Sequence, residues 1–435
     1  MTQHRNETGP HHFDTVAVHA GRDDLIGLGV HALPLDLSTT YPVSDLEGAA
    51  GQLDAWATGA QPPGSPIYAR LHNPTVGRFE QAIATLEGAE AAVAFASGMG
   101  ALSAVLLALP ADRKHVVAVR PLYGGTDHLL GSGLLGVTVT WAAPDEVAAA
   151  LQPDTGLVML ETPQNPTCTL VDIAAVARAA GNVPVLVDNT FATPVLQRPL
   201  EHGASIVLHS ATKAIGGHGD AMGGVVACSE PFAQQVRGVR IATGAVLHPM
   251  AAYHLHRGLA TLPLRVRAMQ ETATQLAGRL VLHPAVSAVH HASLPATDPG
   301  GLVGSQMQGP GGMLSFELRG GFEAARTVIN SLRLATHAVS LGSTDTLVQH
   351  PASLTHRVVD EKSRESAGVC VSLVRISVGL EDVEDLWADL RTGLEACSAA
   401  APASGRTAPV SARAAATAAP GPVGAAARSE LLAEA

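Results

Sequence analysis

The chain has 435 residues, 46% of them hydrophobic, and a formal net charge of −11. This length suggests two or three domains, and the acidic balance argues against a nucleic-acid or anionic-membrane partner. Residues 1–10 lack the apolar core of a signal peptide, no apolar run reaches the roughly 20 residues that cross a bilayer, and the four cysteines are far apart, so we expect a cytoplasmic protein with reduced thiols.

Residues 1–72 have few periodic stretches, which predicts an N-terminal arm with one short helix near 45–54. In residues 73–262, short apolar runs alternate with helix-like segments such as 101–109 and 172–180. The predicted strands are 116–119, 137–140, 157–160, 183–187, 206–208 and 225–227. This alternation predicts an α/β fold, with a large domain whose mainly parallel sheet lies between helices.

Residues 263–397 indicate a smaller C-terminal α+β domain. A long helix is predicted over 250–280, interrupted at Pro263. Strands at 313–318 and 373–378 and helices at 323–332 and 383–395 follow. Residues 398–435 are rich in alanine but lack an apolar stripe, which predicts a disordered tail.

Lys213 gives the strongest local signal, because it follows the predicted strand 206–208 and the hydroxyls of Ser210 and Thr212, and a Gly-rich turn comes next. A lysine in this setting can form a Schiff base with pyridoxal phosphate (PLP), while the hydroxyls bind the phosphate. An ordinary loop lysine would look the same. Asp188, at the end of the preceding strand, favours the PLP interpretation, since a carboxylate there can pair with a protonated pyridine nitrogen.

Other strand ends add weaker signals. Gly98 and Met99 precede a helix, where free N–H groups can bind phosphate. Tyr123 could stack on a pyridine ring, and Glu161 and Asn165 place a carboxylate and an amide on the same sheet edge. Glycine before a helix is common, a buried core tyrosine would explain Tyr123, and a plain turn would explain Glu161 and Asn165.

Arg375 lies within the apolar strand 373–378. Burying an arginine without an anionic partner is costly. The α-carboxylate of a substrate would suit its bidentate fork, and an internal salt bridge is the alternative.

Together these segments resemble the cysteine/methionine-metabolism (trans-sulfuration) family of fold-type I PLP-dependent enzymes, over residues 13–395. The matching blocks are 68–75, 97–100, 123–126, 161–163, 165–166, 188–190, 210–213 and 375–382. So many blocks in one order make the resemblance highly specific.

The resemblance implies a role for each matching residue. Lys213 would carry the cofactor and move protons, Asp188 would pair with the pyridine nitrogen, and Tyr123 would stack on the ring and assist proton transfer. The residues expected at the phosphate are Gly98, Met99, Ser210, Thr212, Tyr68 and Arg70. The residues expected at the amino-acid substrate are Ser340, Arg375, Asn165 and Glu161.

The resemblance also implies an assembly. Tyr68 and Arg70 would reach the phosphate of a neighbouring subunit, so that each active site is shared between two chains. Two such dimers would form a homotetramer.

Within the family, stretches 196–201, 218–220, 243–247, 338–342 and 349–356 look most like methionine γ-lyase. This similarity predicts γ-elimination from a sulfur amino acid, which gives 2-oxobutyrate, ammonia and a thiol. However, Gly125 stands where methionine γ-lyases typically carry a cysteine, and Arg240 and Ile241 stand where they carry a Lys-Asp pair. The selectivity for methionine is therefore left open.

Other functions fit parts of the pattern. Cystathionine γ-lyase, cystathionine γ-synthase and homoserine sulfhydrylase would use the same residues. A fold-type I aminotransferase would use an aspartate and a lysine in the same way, but the Tyr-x-Arg and Ser-x-Thr-Lys blocks argue against it. A non-enzymatic interaction protein is disfavoured because the catalytic residues are all present. The twenty histidines are scattered without ligand spacing, so no metal is predicted.

Overall fold

A computed structural model of the chain describes residues 11–43, 45–61 and 64–400. Its helices are α1 Phe13–His19, α2 Leu25–Leu28, α3 Leu46–Ala57, α4 Pro74–Glu87, α5 Gly98–Ala108, α6 Gly124–Gly131, α7 Val147–Ala150, α8 Ile173–Ala180, α9 Thr193–Leu196, α10 Glu230–Thr243, α11 Pro249–Leu259, α12 Leu262–Val281, α13 Gly321–Ser331, α14 Glu361–Ser366 and α15 Val383–Ala400. Short 3-10 helices lie at Pro144–Glu146, Pro199–His202 and Pro351–Ser353.

The strands alternate with these helices through the middle of the chain. They are β1 Ala91–Phe95, β2 His115–Val119, β3 Thr138–Ala142, β4 Thr155–Glu161, β5 Val185–Asp188, β6 Ile206–His209, β7 Gly224–Cys228, β8 Val286–His290, β9 Met313–Leu318, β10 Thr336–His337, β11 Leu347–Gln349 and β12 Leu373–Ser377.

Within the described residues, seven strands form the large sheet, in the order β1-β7-β6-β5-β4-β2-β3. The neighbouring strands β6, β5, β4, β2 and β3 run parallel, and β7 is antiparallel to both of its neighbours, β1 and β6. In the register of the sheet, Glu161 pairs with Asp188, and Asp188 pairs with Leu208. The ends of β4, β5 and β6 therefore bring their following residues to one edge.

Both faces of the large sheet are buried. Phe95, Met159 and Leu208 cluster with apolar residues of α5, α6 and α10 on one face. On the other face, Val187 clusters with residues of α8, and Val207 with residues of α4 and α11. Burial on both faces explains why these strands read as continuous apolar runs in the sequence.

A second sheet of five strands lies in the C-terminal part of the described chain, in the order β10-β11-β12-β9-β8. Apolar residues of α12, α13 and α15 cluster with Phe316 and Val374 to form its core. In β12, Arg375 pairs in register with Ser315 of β9 and Gln349 of β11. The second sheet thus fixes Arg375 between two neighbouring strands.

The predicted α/β class with a smaller α+β part is confirmed. The long helix predicted over 250–280 is two helices, which break before Pro263, and this proline lies in the first turn of α12, where a missing N–H costs nothing. Strand β1 was not predicted, because three of its five residues are alanine, which favours helix.

The domain boundaries predicted at 72, 262 and 397 remain predictions. In the arm, α1 buries Ala17 against the core, in addition to the predicted helix that appears as α3. The alanine-rich tail lies outside the described residues apart from 398–400, which continue α15. No helix in the described part of the chain is both long and apolar enough to cross a membrane.

Candidate active site

A cavity of about 260 Å³ lies at the carboxyl edge of the large sheet. Its walls come from both sheets and from the loops after β1, β2, β4, β5 and β6. The lining residues are Ser97, Gly98, Met99, Leu102, Tyr123, Thr126, Glu161, Asn165, Asp188, Thr190, Phe191, Leu208, Ser210, Thr212, Lys213, Met222, Val339, Ser340, Leu341, Thr355 and Arg375. The cavity therefore gathers every predicted site residue except Tyr68 and Arg70.

Lys213 lies in the turn after β6, and its Nζ atom donates a hydrogen bond to Oγ of Ser340 at 2.7 Å. Burial, together with the charge of Arg375, lowers the pKa of Lys213 to about 8. The segment that carries Ser340 is held close by Gly342, whose φ is 74° and where a Cβ would lie 2.4 Å from the backbone nitrogen of Ala214. A buried amine with a lowered pKa is suited to attack a carbonyl group.

Asp188 ends β5 with its carboxyl group in the wall of the cavity. Its Oδ1 atom accepts hydrogen bonds from the hydroxyl of Thr190 at 2.6 Å and from the backbone N–H of Thr190 at 3.0 Å. Burial raises the pKa of Asp188, and the bonds from Thr190 and the charge of His209 oppose this rise. One side of the carboxyl is thus fixed by the protein.

The opposite end of the cavity has the features of an anion site. Helix α5 begins at Gly98, and the side chain of Ser97 caps it by accepting from the N–H of Gly100 at 3.1 Å. The first amides of a helix have no partner within the helix, so those of Gly98 and Met99 are available to a phosphate. A Cβ at residue 98 would lie 3.0 Å from Cβ of Ser210, so glycine lets the two segments approach.

Thr212 also lines this end of the cavity, but its hydroxyl is engaged by the backbone. Its Oγ1 atom lies 3.1 Å from the carbonyl oxygen of Gly223 and accepts from the N–H of Gly223 at 3.0 Å. A phosphate contact from this hydroxyl would have to share or replace the bond to the carbonyl.

Tyr123 presents its ring at the cavity mouth, where the residue is 39% exposed. Its backbone N–H donates to Oε2 of Glu161 at 2.8 Å. Burial, and the neighbouring charge of Asp188, raise the pKa of Glu161 well above its usual value. Glu161 was predicted to bind substrate, and in the structure its carboxyl group also binds the backbone of Tyr123.

Arg375 is buried with neutral partners. Its guanidinium donates to Oδ1 of Asn165 at 2.8 Å and to the carbonyl oxygen of Ser340 at 2.9 Å. Gln349, with its amide oxygen turned toward the guanidinium, accepts from Nη2 at 2.7 Å. Burial lowers the pKa of Arg375 to about 10, so the group stays cationic at neutral pH. A buried cation of this kind favours an anionic ligand.

Tyr68 and Arg70 lie apart from this cavity. The Arg70 guanidinium lies 5.6 Å from the centre of the Tyr68 ring, and it donates to the carbonyl oxygen of Ile241 at 2.7 Å. Arg240 is buried in an ion pair with Glu80 at 2.5 Å. The positions that replace the Lys-Asp pair of methionine γ-lyases are therefore neighbours of Arg70 and do not line the cavity of their own chain.

Some cavity residues had no predicted role. Thr190 could have been found as a hydroxyl two residues after Asp188, at the spacing that lets a side chain bond back. Phe191, Met222, Val339 and Leu341 lack such a signal, because apolar residues in loops look alike whichever surface they cover.

The residues present fit PLP. Helix amides and the Ser210 hydroxyl suit a phosphate, the Asp188 carboxyl suits a pyridine nitrogen, the Lys213 amine suits the aldehyde, and the Tyr123 ring offers a flat surface. This donor set, at the carboxyl edge of a mainly parallel sheet, defines a fold-type I PLP-dependent enzyme.

Similarity to known proteins identifies the family within this class of PLP-dependent enzymes. The profile of the family described as Cys/Met metabolism PLP-dependent enzyme matches residues 14–395. L-methionine gamma-lyase of Streptomyces avermitilis is 59% identical over 379 residues, which cover 87% of this chain and 87% of the relative. L-methionine gamma-lyase of Brevibacterium sandarakinum is 56% identical over 393 residues, which cover 90% of this chain and 99% of the relative.

Solved structures agree with this family. Cystathionine gamma synthase from Xanthomonas oryzae pv. oryzae, in complex with aminoacrylate and cysteine, is 36% identical with a TM-score of 0.83, and the match covers 90% of this chain and 100% of that one. The chain belongs to the Cys/Met metabolism family of PLP-dependent enzymes, and its cofactor is PLP.

Proposed function

We propose that the protein catalyses γ-elimination from L-methionine or a close sulfur-containing relative, with water as co-substrate and 2-oxobutyrate, ammonia and a thiol as products. The observation that carries the proposal is the double contact of Ser340. Its hydroxyl accepts from Nζ of Lys213 at 2.7 Å, and its carbonyl accepts from Arg375 at 2.9 Å. The Lys213 amine, which can move a proton at Cα, and the Arg375 cation, which can bind a carboxylate, thus lie beside the same residue. The Cα and the carboxylate of an amino acid are adjacent, so this spacing suits such a substrate.

Arg375 and Asn165 are the proposed binding groups for the substrate carboxylate. The guanidinium already contacts the Asn165 side chain, and its partners in the described chain include no carboxylate. An incoming carboxylate would therefore supply the missing negative charge. Its binding would also orient the rest of the amino acid toward Lys213.

The proposed side-chain pocket is apolar. Phe191, Val339 and Leu341 line the cavity on the side of Ser340. A thioether is apolar and flexible, so this surface suits the methionine side chain better than a charged one. Relatives named L-methionine gamma-lyase, at 59% and 56% identity, support this choice of substrate.

The chemistry follows from the positions of two proton carriers. When bound, PLP supplies an electron sink that stabilises negative charge at the substrate Cα. Lys213 takes the proton from Cα with its Nζ atom and moves protons along the substrate carbon chain, for which a pKa near neutrality is favourable. The hydroxyl of Tyr123 gives a proton to the departing sulfur.

We infer that the working enzyme is a homotetramer, built as a dimer of dimers in which each active site is shared between two chains. Tyr68 and Arg70 lie outside the cavity of their own chain, although they match phosphate-binding positions of the family. The arm also exposes apolar side chains, with 83% of Ile26 and 83% of Leu46 accessible. Contact with a second chain would cover these residues and bring Tyr68 and Arg70 to the partner's phosphate. Cytoplasmic location stays a prediction.

A substrate panel tests the proposed reaction. Methionine, cystathionine, homocysteine, cysteine and O-acyl-homoserines are each incubated with the PLP-loaded enzyme, and an O-acyl-homoserine is also incubated together with cysteine. The products quantified are 2-oxobutyrate, pyruvate, thiol and cystathionine. We expect 2-oxobutyrate and methanethiol from methionine. Efficient joining of cysteine to an O-acyl-homoserine, without thiol release from methionine, would move the assignment to a γ-replacement enzyme. Preference for cystathionine would indicate a cystathionine γ-lyase.

A further inference from the structure

Two ionisable side chains form a buried pair behind the cavity wall. Glu87 ends α4 and His209 ends β6, and Oε1 of Glu87 lies 2.5 Å from Nε2 of His209. Their side chains are 0% and 1% exposed, and neither residue lines the cavity. Replacing a buried ion pair by apolar residues is often neutral or stabilising. Stability alone is therefore a weak reason for this pair.

Hydrogen bonds of the pair and of its chain neighbours lead to the residues around Asp188. On one side, Oε1 of Glu87 accepts from the side-chain amide of Asn189, the next residue after Asp188, at 3.2 Å. On the other side, His209 precedes Ser210, whose N–H donates to the hydroxyl oxygen of Thr190 at 2.9 Å. The same hydroxyl donates to Oδ1 of Asp188. The residue after His209 thus reaches, through Thr190, the one carboxyl proposed to face the cofactor nitrogen, and Glu87 contacts the residue that follows this carboxyl in the chain.

Each member of the pair keeps one buried polar atom without a hydrogen-bond partner in the described chain. Neither Nδ1 of His209 nor Oε2 of Glu87 has a hydrogen-bond partner among residues 11–43, 45–61 and 64–400. Burying these two polar atoms costs free energy, and the single contact between the two side chains offsets this cost only in part. A contact that only holds α4 against the sheet would not require two ionisable side chains.

The cavity holds a second carboxyl that competes for negative charge. Glu161 pairs in register with Asp188 on the adjacent strand, and both are buried. Two like charges at this spacing oppose each other, so one carboxyl tends to keep a proton. Among the cations that line the cavity, Arg375 favours the ionised form of Glu161, so selection of Asp188 requires other contacts.

We propose that the Glu87–His209 pair is a positioning device that keeps Asp188, rather than Glu161, ionised. The pair fixes the end of β6, so that the N–H of Ser210 holds the Thr190 hydroxyl in place to donate to Asp188, and this bond favours the Asp188 carboxylate. The direction agrees with the lowering effect of the Thr190 hydrogen bonds on the pKa of Asp188. Neither Glu87 nor His209 contacts substrate. The proposal rests on the proposed function, because it needs Asp188 to pair with the ring nitrogen of PLP.

The test compares Glu87→Gln and the double variant Glu87→Gln/His209→Gln with the wild type, each as the full chain. Four quantities are measured: the melting temperature, the PLP dissociation constant of the apoprotein from fluorescence titration, the visible absorbance of the loaded enzyme against pH, and kcat and KM for methionine. Since coupled residues in one network typically interact by amounts worth roughly 2- to 150-fold, we expect about tenfold weaker PLP binding and about tenfold lower kcat. KM should stay within about twofold.

The pH dependence has a defined sign. Asp188 must be ionised to function, so its contribution is present above its pKa and is lost as pH falls. Loosening of the Thr190 hydrogen bonds raises that pKa, and the acid limb of the kcat profile and of the absorbance change should move upward by about one pH unit. The neighbouring groups that also titrate or carry charge are Glu161, Lys213 and Arg375, which the variants leave in place.

A matched control uses the His290–Glu317 pair of the small sheet, whose nitrogen and oxygen lie 2.9 Å apart outside the cavity. Glu317→Gln should leave PLP affinity and the pH profile unchanged. Variants of the Glu87–His209 pair that lose only melting temperature would overturn the proposal in favour of a structural role. If Glu87→Gln does not fold, the double variant, which keeps two amides able to bond each other, decides by the same criteria.

Asp188→Asn distinguishes the proposed role of Asp188 at the cofactor from the proposed role of the Glu87–His209 pair. If it retains wild-type PLP binding and turnover, the assignment of Asp188 in the proposed function is wrong. If it loses both while the Glu87 and His209 variants keep wild-type values, only the positioning role of the pair fails.

Discussion

The Nζ atom of Lys213 lies 2.7 Å from Oγ of Ser340, a non-glycine residue whose φ angle is 104°. Left-handed backbone is costly for residues with a Cβ and persists where the surrounding structure enforces it. Here the carbonyl of Ser340 is also bound by Arg375 at 2.9 Å. The strained residue therefore joins the lysine of one sheet to the arginine of the other.

Variants of Ser340 separate strain from hydrogen bonding. Ser340→Ala keeps the Cβ and the strain, whereas Ser340→Gly removes both; both variants lose the hydroxyl. We expect Ser340→Gly to be more stable than Ser340→Ala by about 1 kcal/mol, because relief of strain exceeds the entropy cost of glycine. Denaturant unfolding of the apoproteins measures this difference, and equal stabilities would show that the backbone angle is not strained. Turnover should fall in both.

The rate at which the apoprotein takes up PLP should depend on pH through Lys213. Only the neutral amine attacks the aldehyde, and burial lowers the pKa of this amine to about 8. The rate should rise about tenfold per pH unit below this value and level off above it. Stopped-flow absorbance measures the profile. A rise that continues to the ordinary lysine value of 10.5 would contradict the buried setting of the amine.

Arg375→Gln provides a check on the same profile. The charge of Arg375 helps to lower the pKa of Lys213, after burial itself. Its removal should shift the midpoint of PLP uptake to higher pH. It should also raise KM for methionine, because the proposed carboxylate contact is lost.

Gly125 controls the setting of the Tyr123 ring. A Cβ at residue 125 would lie 2.6 Å from Cε1 of Tyr123, so the ring must move. Gly125→Ala should therefore lower kcat for methionine and cystathionine alike. Gly125→Cys adds a thiol to the same displacement, and relative to Gly125→Ala we expect kcat/KM to shift toward methionine, within roughly 10- to 200-fold. An identical substrate preference in both variants would remove any role for the thiol.

Mixing two inactive variants tests the shared site. Arg70→Ala lacks a phosphate contact and Lys213→Ala lacks the amine, and in a mixed dimer one site would contain both wild-type residues. Partial recovery of activity is expected after subunits exchange. Demonstrated exchange, for instance by fluorescence energy transfer between labelled chains, without recovered activity would show that Arg70 serves its own chain or none.

Much of the catalytic cavity could be predicted from the sequence, because its polar residues follow strands. Asp188 ends one strand and Lys213 follows the neighbouring parallel strand, and such strand ends meet at one edge of the sheet. Arg375 is conspicuous as a charge within an apolar strand. In each case a local pattern carries the signal.

Other features depend on distant contacts that no local pattern reveals. Glu87 and His209 are 122 positions apart, and a glutamate at the end of a helix usually faces solvent. Likewise, no local pattern around Arg240 indicates its ion pair with Glu80, 160 positions away. Long-range packing decides the function of such residues.

The most direct test of the central claim is the stoichiometry of products from L-methionine with wild-type enzyme and with Lys213→Ala, each incubated with PLP. The wild type should release methanethiol, 2-oxobutyrate and ammonia in equal amounts and show the visible absorbance of lysine-bound PLP. Lys213→Ala should release none of these products and lack that absorbance. Wild-type enzyme that gives no thiol or 2-oxobutyrate, or a Lys213→Ala variant that retains both turnover and absorbance, would contradict the account.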